Sequence, residues 1–136
     1  ILSLCRRIPQ DHNQIVRGDW GIGHLRPILA PSQMTLGLIA FGKIPQRVAA
    51  KARVFGFAVI AYDPYQQDSV FADSAVRRVD LNTLLAESDV ISVHCPQVPE
   101  TEHLINRDAI AKMKDGVIFV NTSRGGVVDE GALPDI

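Results

Sequence analysis

Apolar runs of strand length alternate with amphipathic stretches along most of this chain. From Thr35, "TLGLIA" is apolar throughout. "QRVAAKARVF" then sets Val48, Ala49, Ala52 and Phe55 at helical spacing, and Gly56 supplies the stop. "FAVIAY" predicts a second buried strand, residues 64–74 a loop, and "AVRRV" a short third strand. In "DLNTLLAES", Asp80 reads as an N-cap ahead of the apolar stripe Leu81, Leu84, Leu85. "DVISVHC" predicts a fourth strand. "NRDAIAKMKDG" predicts a helix with Asn106 as N-cap, Asp108 in its first turn, Lys112 and Lys114 in its last, and Gly116 as its stop. "VIFVNT" predicts a fifth strand, and "VDEGALPDI" the opening of one more helix.

The first 34 residues read differently. Leu2, Cys5, Ile8, Ile15 and Val16 lie near helical spacing and predict a helix over 1–20, interrupted at Pro9. Residues 21–34, rich in Gly and Pro, predict a connecting loop. The chain therefore divides into an N-terminal helix and loop, 1–34, and an alternating unit, 35–136. Strands apolar on both faces, separated by helices, predict an α/β fold with a doubly wound parallel sheet. In that architecture a ligand lies beyond the carboxyl ends of the strands, near the point where strand order reverses. Those ends carry Ala40 to Gly42, Asp63, His94 to Pro96, and Thr122 to Gly125.

Composition removes several function classes. A net charge of −1 gives no ground for nucleic acid or an anionic membrane surface as partner. No apolar run approaches the roughly 20 residues of a membrane span, and Arg6 and Arg7 follow "ILSLC" too soon for a signal peptide. Two cysteines far apart, Cys5 and Cys95, point to reduced thiols in a cytoplasmic protein. No metal site is expected. The start at Ile1 and the stop shortly after "DEGAL" lead us to expect a piece of a longer protein.

The candidate chemistry centres on the first strand–helix corner. A dinucleotide turn has the spacing G-x-G-x-x-G, and here those positions are Ala40, Gly42 and Pro45. Gly42 holds the position where backbone meets pyrophosphate. Ala40 is strained only if its φ must be positive. Pro45 suits the first residue of a helix, which would draw the helix N-terminus away from the phosphate. A helix that begins at Lys43 favours binding; a start at Pro45 or later favours a decayed site. Asp63 ends the second strand about 20 residues on, where a carboxylate holds the adenosine ribose and repels a 2′-phosphate, selecting NAD over NADP. Its plainer reading is a turn aspartate before Pro64.

The segments "TLGLIAFGKI", "FGFAVIAYDPY", "LLAESDVISVHCPQVPETEHLIN" and "MKDGVIFVNTSRGGVVDEGAL" resemble the nucleotide-binding domain of the D-isomer-specific 2-hydroxyacid dehydrogenases. The resemblance implies a Rossmann-like domain, the cofactor NAD(H), a 2-hydroxy or 2-keto acid as substrate, and a homodimer, with "RGDW" near the interface. It implies that Phe41, Gly42, Lys43 and Ile44 face the pyrophosphate and Asp63 the ribose. His94, Cys95, Pro96 and Thr101 would line the cleft, and Thr122 and Ser123 would meet the nicotinamide half. Arg124 matches the family's catalytic arginine, whose fork binds the substrate carboxylate and polarises the carbonyl. His94 reads as a cleft or packing residue, because the family's proton-donating histidine and its glutamate fall beyond Ile136. Cys95 reads as a small buried apolar residue, and His24 and His103 receive no role. The chain by itself is thus expected to bind NAD, weakly, without being a competent dehydrogenase. The alternative is a decayed module acting in protein association.

Overall fold

The computed structural model describes residues 1–20 and 28–135, with no account of the side chains of 134 and 135. Residues 21–27 of the expected loop, His24 among them, lie outside it. Five strands, β1 (Thr35–Ile39), β2 (Ala58–Tyr62), β3 (Arg77–Arg78), β4 (Val90–Val93) and β5 (Ile118–Asn121), form one parallel sheet in the order β3-β2-β1-β4-β5. The order reverses between β1 and β4, so the crevice beyond their carboxyl ends is the switch point.

Side-chain alternation sorts the core onto two faces. Leu36, Leu38, Val59, Ala61 and Val90 face one way, against Ala49 and Ala52 of α3 (Lys43–Val54) and Phe71 of α4 (Asp68–Asp73). Ile39, Ile60, Ile91 and Val93 face the other way, against Leu84 and Leu85 of α5 (Leu81–Glu87) and Ala109 and Ile110 of α6 (Arg107–Ile110). Both caps predicted from sequence form: Asp80 accepts from the Thr83 N–H at 2.9 Å and Asn106 from the Ala109 N–H at 3.0 Å. Gly56 follows α3 with φ +94° and Gly116 turns at φ +76°.

Four expectations change. The N-terminal helix is two pieces, α1 (Leu2–Cys5) and α2 (Ile8–Val16). The break falls at Arg7, at φ +53°, and Pro9 sits in the first turn of α2, where its missing N–H has no intrahelical acceptor to lose. The expected loop 64–74 contains α4, anchored by the buried Phe71 and the half-buried Val70, two adjacent residues that give no periodic signal. α6 lasts only four residues before turns take over, despite its well-placed lysines. "VDEGALPDI" forms a 3₁₀ segment, Glu130–Asp135, in place of an α-helix, as its Gly131 and Pro134 favour.

Candidate functional site: the crevice at the switch point

The strand–helix corner resolves the question of the unusual glycine turn. α3 begins at Lys43 with Gly42 as N-cap, so Pro45 is the third helical residue and not the first. Two physical facts allow this. The first helical residues have no intrahelical acceptor for their N–H groups, so a proline there breaks no bond. Its ring ordinarily clashes with the carbonyl four residues back, but that residue is Phe41, which precedes the helix. The ladder starts one residue after the proline, with Gln46 N–H donating to Gly42 O at 3.2 Å. What Pro45 does remove is one of the free N–H groups that a helix N-terminus turns towards an anion, leaving those of Lys43 and Ile44.

Ala40 takes φ +72°, a backbone conformation that favours glycine, so the strain considered from sequence is present. An added Cβ at Gly42 would meet no atom within 4 Å. Backbone at that point is open to close approach, as a pyrophosphate requires.

The turn is pinned from several sides. Phe41 sends its ring into the core, stacked on Phe71 with centroids 4.8 Å apart, and the Arg78 guanidinium covers the far face of that stack 5.1 Å from the Phe71 centroid. Phe41 therefore meets the crevice through its backbone alone. Its N–H donates to Asp63 Oδ2 at 2.8 Å, and its carbonyl accepts from Gln46 Nε2 at 3.0 Å and Gln66 Nε2 at 3.1 Å. Asp63 Oδ1 also accepts from the N–H groups of Tyr65, at 2.9 Å, and Gln66, at 3.2 Å. The turn-aspartate reading of Asp63 is thus realised, and the same carboxylate reaches across to the glycine turn.

Two cavities flank the crevice and share Cys95 and Pro96. One, of about 230 Å³, is lined by Asp63, Pro64, Tyr65, Thr101 and Leu104 among others. The other, of about 680 Å³, is lined by Ile44, His94, Gln97, Thr122, Ser123 and Arg124 as well. Ile44, Asp63, His94, Cys95, Pro96, Thr101, Thr122, Ser123 and Arg124 thus line two adjoining cavities of the crevice, with Gly42 and Lys43 at the helix start beside them. Thr101 Oγ1 accepts the Val98 N–H at 2.9 Å and donates to Pro96 O at 2.6 Å, which shapes the loop after β4. Asn121 shapes the loop after β5: its Oδ1 accepts from Ser123 N–H at 2.9 Å and its Nδ2 donates to Arg124 O at 2.9 Å. Arg124 is exposed, and its guanidinium Nη1 donates to the neighbouring Ser123 O at 3.0 Å.

Burial lowers the His94 pKa, favouring the neutral ring, whose Nε2 lies 2.9 Å from Ser92 Oγ. Burial raises the Cys95 thiol above its ordinary value, and the nearby Asp63 charge pushes the same way, so Cys95 is a thiol and a poor nucleophile.

Residues 1–136 match the D-isomer specific 2-hydroxyacid dehydrogenase NAD binding domain. The chain belongs to this family. A hydroxypyruvate reductase of Thermotoga maritima is 58% identical over 98% of this chain and 42% of its own length. A D-3-phosphoglycerate dehydrogenase of Mycobacterium tuberculosis is 48% identical over 99% of this chain and 25% of its own. Among solved structures, a D-lactate dehydrogenase from Aquifex aeolicus, complexed with NAD and lactic acid, superimposes with a TM-score of 0.89 at 36% identity. That match covers 97% of this chain and 39% of the other. The chain thus spans less than half the length of these relatives, and is the NAD-binding domain of the family's architecture.

The sequence left several crevice residues unremarked. Gln46 and Gln66 hold the turn, Gln97 packs so close to Gly126 that a Cβ there would come 2.2 Å from its Nε2, and Asn121 sets the Arg124 loop. Gln46, a half-buried polar position of α3, and Gln66, in the run "YQQD", carry no periodic or motif signal; only their partners identify them.

No helix among the described residues is long and apolar enough to cross a membrane.

Proposed function

We propose that this chain holds NAD(H) along the switch-point crevice, with the adenosine beside Asp63, the pyrophosphate over Gly42, Lys43 and Ile44, and the nicotinamide half beside Thr122 and Ser123. The single observation that carries this reading is the start of α3 at Lys43, which leaves a helix N-terminus and an open Gly42 backbone at the head of the crevice. A start displaced to Pro45 or later would have favoured the association alternative. In the complete protein the reaction we propose is hydride transfer between NAD(H) and a 2-hydroxy or 2-keto acid.

NAD(H) supplies the hydride. The chain's own groups do the rest that falls to this domain. Arg124 receives the substrate carboxylate in its planar fork and, beside the carbonyl oxygen, favours the charge that develops there. The neutral His94 offers hydrogen bonding to the cleft without adding a charge next to Arg124. Asp63 sets preference for an unphosphorylated ribose. The two buried free cysteines support a cytoplasmic location. Exposed Leu2, Leu4, Ile8, Ile15 and Val16 on α1 and α2, with Trp20 beyond them, support a homodimer through this segment.

The test is calorimetric titration with NADH and NADPH. NADH should bind in the micromolar to millimolar range and NADPH about tenfold or more weakly, as a like-charge clash predicts. Asp63→Asn, which keeps an acceptor for the Phe41 N–H, should narrow that ratio. A folded chain that binds neither dinucleotide would end the cofactor reading.

A further inference from the structure

The Phe41 carbonyl lies at the base of the phosphate turn and accepts two side-chain amides, one from each side. Gln46 comes from the first turn of α3, and Gln66 from the loop after β2. The Gln66 amide is oriented by a second bond: its Oε1 accepts the Gln67 N–H at 3.1 Å, which turns its Nε2 towards Phe41. Gln66 is half-buried and lines neither cavity of the crevice. Its neighbours Pro64 and Tyr65 do line the smaller one. The loop that lines the smaller cavity is therefore joined to the turn before α3 by a side chain that lines neither cavity.

We propose that Gln66 is a positioning residue that couples the adenosine side of the crevice to the pyrophosphate turn. This rests on the NAD(H) reading above. Two features of this chain give the turn need of such support. Ala40 holds a left-handed conformation against its own sterics, and Pro45 has removed one amide from the helix N-terminus. The remaining donors at Gly42, Lys43 and Ile44 must then be well placed. Phe41, immediately before them, has its N–H fixed by Asp63 and its carbonyl by the two glutamines. Releasing one amide lets the peptide rotate, and the donors that follow it lose their aim. Adenosine, which has no phosphate, does not use those donors.

The experiment titrates the full chain and its Gln66→Met variant, isosteric but without a donor, with adenosine, ADP-ribose and NADH. Adenosine is followed by NMR and the other two by calorimetry. Gln66→Met should lose about fivefold for ADP-ribose and NADH, the worth of one net hydrogen bond, with adenosine changed by less than about twofold. Amide hydrogen exchange at Phe41 and Gly42 should quicken in the ligand-free variant. Gln66→Leu, of similar volume and also without a donor, is the second variant should the first fail to fold, and carries the same expectation. Unchanged ADP-ribose binding overturns the proposal, and so does an equal loss for adenosine and ADP-ribose, the mark of a general structural role. Absence of NADH and ADP-ribose binding by the unsubstituted chain overturns the NAD(H) reading and this proposal with it. Binding by the unsubstituted chain that is untouched by the variants overturns the coupling alone.

Discussion

Replacing Ala40 by glycine isolates the strain at the head of the crevice. Ala40 sits at φ +72° and Ala75 at φ +49°, so one chain offers the same backbone penalty at a half-buried and an exposed site. A left-handed non-glycine residue costs about 1–2 kcal/mol. Glycine returns about 0.4–1 kcal/mol of that through the greater freedom of the unfolded chain. At Ala75, which is exposed, the balance is a gain of about 0.8 kcal/mol. At Ala40 the methyl also packs against the second core cluster. A fully buried methyl is worth about 0.8 kcal/mol, and half of that leaves a gain near 0.4 kcal/mol. With an unfolding entropy of about 2.1 cal/mol/K per residue, a chain of 136 residues should show Tm rises of about 3 °C for Ala75→Gly and 1–2 °C for Ala40→Gly. Urea unfolding of the chain and both variants, with scanning calorimetry, measures this. Ala40→Val should fall below the unsubstituted chain, since a β-branched residue tolerates this conformation worse. A loss of stability in Ala40→Gly of more than about 0.4 kcal/mol alongside a gain in Ala75→Gly would refute the strain account at the turn, because the methyl's packing is worth no more than that.

Other substitutions test neighbouring inferences. Gly37 of β1 lies under α5, and an added Cβ would come 2.1 Å from Ser88 Oγ and 2.9 Å from Leu84 Cδ2. Gly37→Ala should lose about 1–3 kcal/mol in urea unfolding, and Ser88→Ala in the same chain should recover part of it. Asn106→Ala should lose about 1 kcal/mol by removing the cap of α6. The folded-state pKa of His94 lies below its ordinary value of 6.5, so the unfolded chain binds the proton more readily. Its contribution is fully present above pH 6.5 and is lost as pH falls from there towards the folded pKa; His94→Asn should flatten that slope in unfolding curves taken across this range. Arg124→Gln should leave NADH affinity within about twofold while abolishing most turnover in the complete protein, a split that direct cofactor binding by Arg124 would erase.

Much of this molecule was legible from local pattern. Four apolar runs became β1, β2, β4 and β5 within a residue or two, because a strand covered on both faces needs an unbroken apolar stretch, while "AVRRV" formed only the exposed two-residue edge strand β3. The caps at Asp80 and Asn106 followed from side chains that bond amides three residues on. The carboxyl ends of those strands, with Asp63, His94 to Pro96 and Thr122 to Arg124 at the crevice, followed from topology, whereas Ile44 and Thr101 followed from the family resemblance. Pattern failed where a short element rests on two adjacent apolar residues, as at α4, or where a helix breaks at a left-handed Arg7. It could pose the question of Ala40 and Pro45 without answering it. Whether an alanine is strained depends on its φ, and whether a proline displaces a helix depends on what lies four residues before it. Only the tertiary structure decided these, because it puts Phe41 outside the helix and brings Asp63, Gln46 and Gln66 to its backbone from 22, 5 and 25 residues away. Local sequence encodes which segments bury themselves; it does not encode which distant polar groups then meet.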